Sequence, residues 1–165
     1  MWQAQPGAQV SACLDPRVSS IYLTVKYIMR LINTSTRAFE EFIGRKIPEY
    51  AILSHTWEEE EVSYYDYLAG RHHEHQMKGF KKIDMTCQLA AQEGLQYAWV
   101  DTCCIDKRSS AELTEAINSM FRWYERAEVC FAFLSDLSPP SPSEKIKVAL
   151  GQCRWYVVML DEWRD

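Results

Sequence analysis

Apolar and polar positions fall along this chain in two alternating patterns. Short unbroken apolar runs stand at Tyr50-Ala51-Ile52-Leu53-Ser54, Tyr97-Ala98-Trp99-Val100 and Val129-Cys130-Phe131-Ala132-Phe133-Leu134. Runs of this length suit strands buried on both faces. Between them the apolar residues take helical spacing. Phe80, Ile83, Cys87, Ala90 and Ala91 predict a helix over 78–93 that Gly94 stops. Ser109-x-x-Glu112 has the spacing of a capping box and opens a second helix, with Leu113, Ala116, Ile117, Met120, Phe121 and Tyr124 as its stripe and Arg126 in its last turn. Residues 1–20 show neither period and read as irregular. Ile21 to Ile32 is rich in β-branched and aromatic residues, and Met29–Ile32 predicts a first short strand. Asn33-Thr34-Ser35-Thr36 is turn chemistry, expected to cap a short helix running to about Gly44. Ser138-Pro139-Pro140-Ser141-Pro142 breaks the chain, and Glu144 to Trp155 predicts a last helix.

Strand, helix, strand, helix, strand is the order of an α/β domain with an open, mostly parallel sheet, flanking helices and right-handed crossovers. Ligands in such sheets bind outside the carboxyl ends of the strands. Here those ends carry Ser54-His55-Thr56-Trp57, Asp101-Thr102-Cys103-Cys104-Ile105-Asp106 and Ser135-Asp136. The polar loop from about His55 to Gln76 is long for a compact domain, and such loops are functional or disordered.

Composition narrows the class. A chain of 165 residues, 47% hydrophobic, holds one core-forming domain and little else. A net charge of −5, with Glu58–Glu61 as the dense run, speaks against nucleic acid, which needs clustered Lys and Arg. No apolar stretch is long enough to span a membrane, and the N-terminus lacks the pattern of a signal peptide. Six cysteines stand at 13, 87, 103, 104, 130 and 153, none in a Cys-x-x-Cys pair. They read as free thiols of a reducing, cytoplasmic compartment, Cys87 and Cys130 as small buried hydrophobes.

Candidate chemistry gathers at the strand ends, and each group also has a plain structural reading. Ser54, His55 and Trp57 leave one strand tip together; Trp57 is either a stacking wall of a ligand pocket or a cover for the sheet end. Asp101 and Asp106 are placed to hold a ribose, a metal or a proton, or to accept loop and helix N-terminal amides. Cys104 would be a nucleophile only with a base partner, and the sequence offers none. Arg71-His72-His73-Glu74-His75 looks like a metal cluster but reads better as a solvated loop, so no metal is expected. Dinucleotide and NTP glycine motifs are absent, and nothing fixes a Ser–His–Asp triad.

Tyr50-Ala51-Ile52-Leu53-Ser54-His55-Thr56-Trp57 resembles the first block of the fungal heterokaryon-incompatibility (HET) domain. Tyr97 to Lys107 resembles its second block, Ser110 to Tyr124 the helix that follows, and Met29 to Thr34 a typical start. The resemblance implies a role in fungal non-self recognition and programmed cell death, exerted through protein partners or self-association. It also implies a distant similarity to TIR domains, hence a flavodoxin-like sheet and NAD as the ligand or substrate to consider. On that basis the pocket candidates are Ser54, His55, Trp57, Asp101, Cys104 and Asp106; no catalytic residue is assigned, and whether the domain is an enzyme stays open. The family's third block reads approximately Arg-Trp-Phe-x-Arg-Gly-Trp-x-Leu-Gln-Glu. Cys153-Arg154-Trp155-Tyr156 begins like it, but the chain then departs, and Glu162 lacks the context of the family's glutamate. The expectation is an irregular extension over 1–28 and a partial, truncated HET domain over 29–165.

Overall fold

A mixed five-stranded sheet organises the computed structural model, which describes residues 9–13, 22–26, 28–44, 46–70, 77–137 and 153. The elements are β1 (Gln9–Cys13), β2 (Tyr22–Lys26), β3 (Ile28–Asn33), β4 (Phe39–Ile43), β5 (Ala51–His55), α1 (Tyr64–Leu68), α2 (Lys78–Gln92), β6 (Tyr97–Trp99), α3 (Asp101–Cys104), α4 (Ser110–Arg126) and β7 (Val129–Phe133). The strand order is β4-β3-β6-β5-β7. β5 runs parallel to both β6 and β7, whereas β3 is antiparallel to β6 and to β4. The α/β class stands, but the sheet is mixed rather than mostly parallel.

The difference originates at Asn33. Its side-chain oxygen accepts from the Ser35 and Thr36 N–H groups at 3.0 Å each, while its own N–H donates to the Ala38 carbonyl at 2.8 Å. An Asx turn of this kind satisfies the amides a helix N-terminus would need, and Arg37 at φ 60° closes the reversal. A hairpin therefore replaces the expected helix over 33–44. Phe39 and Phe42 then point to opposite faces of β4, Phe39 meeting Tyr67 at 4.6 Å and Phe42 meeting Tyr97 at 5.1 Å. The stretch read as irregular also contains a strand: β1 pairs antiparallel with the β-rich β2 from Gln9↔Lys26 to Cys13↔Tyr22.

Ala51, Ile52 and Leu53 are all buried, so β5 is covered on both faces. Odd-numbered His55 meets Lys82 of α2, while even-numbered Ser54 hydrogen-bonds Tyr124 of α4. The two long helices thus lie on opposite sides of the sheet. Trp99 is fully buried, with the Trp123 ring edge-on at 5.4 Å. At roughly 25 cal/mol per Å², burying about 200 Å² of indole contributes about 5 kcal/mol of transfer free energy.

Two details of the stripes differ from expectation. In α4 the buried positions are Ala116, Ser119 and Trp123, while Ile117 and Phe121 are 63% and 71% exposed. The indole of Trp123 sets the helix's rotation, because it buries more area than either. β7 is an edge strand: Val129, Phe131 and Phe133 are half-buried, and Cys130 and Ala132 face solvent, so Cys130 is not a core residue. Cys87 is fully buried, and burial pushes its thiol up to about 12. The described cysteines 87, 103, 104, 130 and 153 are all free. Apart from Cys153, the expected helix over 144–155 lies outside the described residues, as does the His72–His75 cluster. No helix among the described residues is long and apolar enough to cross a membrane.

Candidate active site

The carboxyl ends of the parallel strands β5 and β6 face each other across one buried ionic cluster. β5 ends on His55, whose side chain is 1% exposed. β6 leads into α3, whose first residue is Asp101. Asp101 Oδ1 lies 3.0 Å from His55 Nε2, and its Oδ2 accepts from the Trp57 indole N–H at 2.8 Å. Burial raises the Asp101 carboxyl, but the His55 hydrogen bond and charge, with Lys107 and Trp57, outweigh it and hold it below its ordinary value. An ionised carboxylate only accepts, so the Nε2 proton of His55 points at Asp101. The other ring nitrogen, Nδ1, lies 3.1 Å from the Thr56 carbonyl and 3.4 Å from Lys82 Nζ. It has an acceptor for a proton and a donor for a lone pair, so either state is satisfied.

Lys82 stands on the core-facing side of α2 with Gly79, Ile83, Thr86, Cys87 and Ala90. Its ammonium is paired with Glu61, 3.2 Å from the Thr56 carbonyl and 3.5 Å from Glu58. A buried ammonium is tolerable only with such partners. The loop reaches it because Glu60, at φ 62°, turns the chain back and Gly79 has no side chain. A Cβ there would sit 2.9 Å from both the Glu60 carbonyl oxygen and the Glu61 Cα.

The remaining sequence candidates lie elsewhere. Ser54 is on the opposite face of β5 with Tyr124, whose hydroxyl is pushed up to about 12 chiefly by burial. Cys104 is buried, its sulfur accepting from the Val100 N–H at 3.4 Å, which makes it part of the α3 turn. Burial drives the neighbouring Cys103 thiol well up. Asp106 accepts from the Tyr65 hydroxyl at 2.9 Å and the Arg108 N–H at 3.0 Å. Of six candidates the structure brings His55, Trp57 and Asp101 together, and leaves Ser54, Cys104 and Asp106 outside that contact set.

Three residues of the cluster escaped the sequence reading. Lys82 carried a signal, a charge on the core stripe of an amphipathic helix. Glu61 was hidden in an acidic run that reads as a solvated face. Lys107, whose ammonium lies 3.5 Å from the Trp57 ring centroid, had no signal beyond its place after Asp106.

Chemically, the cluster presents an ionised carboxylate beside an exposed indole, held from behind by an enclosed imidazole and a buried ammonium. It can accept a hydrogen bond from a ligand or attract a cation. Among the described residues no group of three metal-ligating side chains converges.

The fold is that of an α/β domain whose candidate site lies at the carboxyl ends of its parallel strands. The family model for heterokaryon incompatibility protein (HET) matches residues 50–155, which include both of those strands and all of the cluster. The chain belongs to that family. It is similar to the vegetative incompatibility protein HET-E-1 of Podospora anserina, 48% identical over 126 residues. The aligned part amounts to 73% of this chain but 9% of that protein, so the chain spans a small fraction of its relative. No solved structure matches the chain.

Proposed function

We propose that this chain acts in fungal non-self recognition as a cytoplasmic signalling module whose output is programmed cell death, working by association with protein partners or copies of itself. The observation that carries the reading is the 48% identity to a vegetative incompatibility protein, which extends over most of this chain. The test is inducible expression in a filamentous fungus, scored by vital-dye uptake. Dye uptake that follows induction, and is lost in a Lys82→Met chain, is the expected result. Undiminished viability at full protein levels would overturn the reading.

A second reading, hydrolysis of NAD by a TIR-like fold, is favoured by one feature. The parallel strands run second-first-third in chain order, β6-β5-β7, as a flavodoxin-like sheet begins, and Asp101 sits at their carboxyl ends. Trp57 offers a face for a planar ring and Asp101 an acceptor for a ribose hydroxyl. Incubation of the purified chain with NAD would release nicotinamide, and Asp101→Asn would stop it. An unchanged NAD pool would remove this reading while leaving the first intact.

A further inference from the structure

Trp57 is 59% exposed, an unusual position for an indole whose N–H is already committed to a carboxylate. What rests on its ring is the chain's own Lys107, with the ammonium 3.5 Å from the centroid. That ammonium lies 4.0 Å from Asp101 Oδ2, an ion-pair distance without a hydrogen bond. An aromatic face and an anionic oxygen together make a receptor for an organic cation. Lys107 shows that the receptor accepts one. Its hold is weak, since partial burial costs its charge more than Asp101 returns and lowers its pKa. The same indole lines an open depression with Glu58, Glu59 and Lys78, so further carboxylates border the ring.

We propose that Trp57 and Asp101 form a binding site for a lysine or arginine side chain of a partner protein, with Lys107 as the built-in occupant that this side chain displaces. The acidic border selects a basic segment around the inserted residue. A second copy of the chain is disfavoured as partner, because each copy carries a net charge of −5. The site goes beyond the proposed role in cell death, and binding is read without any turnover or viability assay.

The test is a titration of the chain with a blocked tetralysine peptide, following the Trp57 indole N–H resonance assigned with Trp57→Phe. The peptide should shift that resonance. Lys107→Met, which vacates the ring, should bind about threefold tighter, the fold-change expected from releasing one exposed cation–π contact. Trp57→Leu keeps every charge and should bind severalfold more weakly. Equal affinity of the wild-type and Trp57→Leu chains would reduce the effect to attraction by net charge and overturn the proposal. So would a Lys107→Met chain that binds no tighter, or an indole shift that follows protein concentration without peptide.

Discussion

Two ionic hubs hold this domain together, and they differ in how they end. One is built on Arg30 of β3. Its guanidinium donates to the Cys104 carbonyl at 2.9 Å, to Glu112 at 2.8 Å and to Glu41 at 3.0 Å, and lies over the Tyr64 ring. The other is built on Asp101, with His55 and Lys82 behind it and Trp57 and Lys107 in front. The Arg30 hub closes on itself: five elements converge, and three guanidinium N–H groups find fixed acceptors. The Asp101 hub is closed behind and open in front, where an exposed indole and a loosely held ammonium complete it. Closure marks architecture, and the open front is where the proposed partner side chain would bind.

Breaking the closed hub should cost most. Arg30→Ala removes three hydrogen bonds and the stacking on Tyr64, and among the described residues leaves the Glu112 carboxylate the Asp106 N–H. The expected loss is about 3–4 kcal/mol, near the low end for breaking a buried ion pair because Glu41 and Glu112 retain solvent contact. Urea unfolding should show the midpoint fall with an unchanged slope. An effect under about 1 kcal/mol would mean that the hub is no more than a surface pair.

Next comes the closed rear of the Asp101 hub. Lys82→Met keeps the apolar stem but takes the buried ammonium from Glu61, which is left with the Glu58 N–H at 2.9 Å, and about 2 kcal/mol should be lost. Gly79→Ala should cost about 1–3 kcal/mol by a separate route, because its Cβ would push the Glu60–Glu61 backbone off the helix. If the hub is one unit, the double variant will lose less than the sum of the two.

The contrast between the hubs also sorts what the chain's pattern could reveal. β5, β6 and both long helices were legible because burial on two faces or one stripe writes a period into the residues, whereas β7 was legible as an apolar run although one of its faces meets solvent. Asn33 was misread because the same side chain serves a helix cap and an Asx turn, and only the Phe39 and Phe42 partners decide between them. Ser109 does cap α4 through the Glu112 N–H, yet the Glu112 carboxylate turns away to Arg30 and the Asp106 N–H. Tertiary demand took half of the capping box. His55, Trp57 and Asp101 were singled out because strand ends concentrate unusual polar residues, and in the fold they touch one another. Arg30 and Lys82 were not weighed: the place of Lys82 on a core stripe was a signal, but the acceptors that hold either cation lie far along the chain and come into view only in the fold.

A third prediction separates the hubs by pH. The Asp101 carboxyl titrates below its ordinary value in the folded chain. The stability it lends is therefore complete above the unfolded carboxylate pKa of about 4, and is lost as pH falls through the lower folded value. Asp101→Asn should flatten the acid limb of the stability profile below about pH 4, where Arg30→Ala lowers the whole curve. A limb unchanged by Asp101→Asn would mean that the depressed value belongs to another carboxylate.

The smallest effect should fall on the open front. Trp57→Leu removes the indole hydrogen bond to Asp101, but this carboxylate keeps His55 and has an oxygen near solvent that water can serve. The indole is mostly exposed, so little apolar area is uncovered. The stability change should stay within about 0.5–1 kcal/mol, an order appropriate to a surface position. Lys107, having lost its ring, would move into water and recover hydration, which offsets part of the loss. A penalty above about 2 kcal/mol would show that Trp57 covers the sheet end as a structural lid, and the distinction between a closed hub and an open one would fail. A small penalty leaves a large exposed aromatic that folding does not require, at the mouth of a charged cluster.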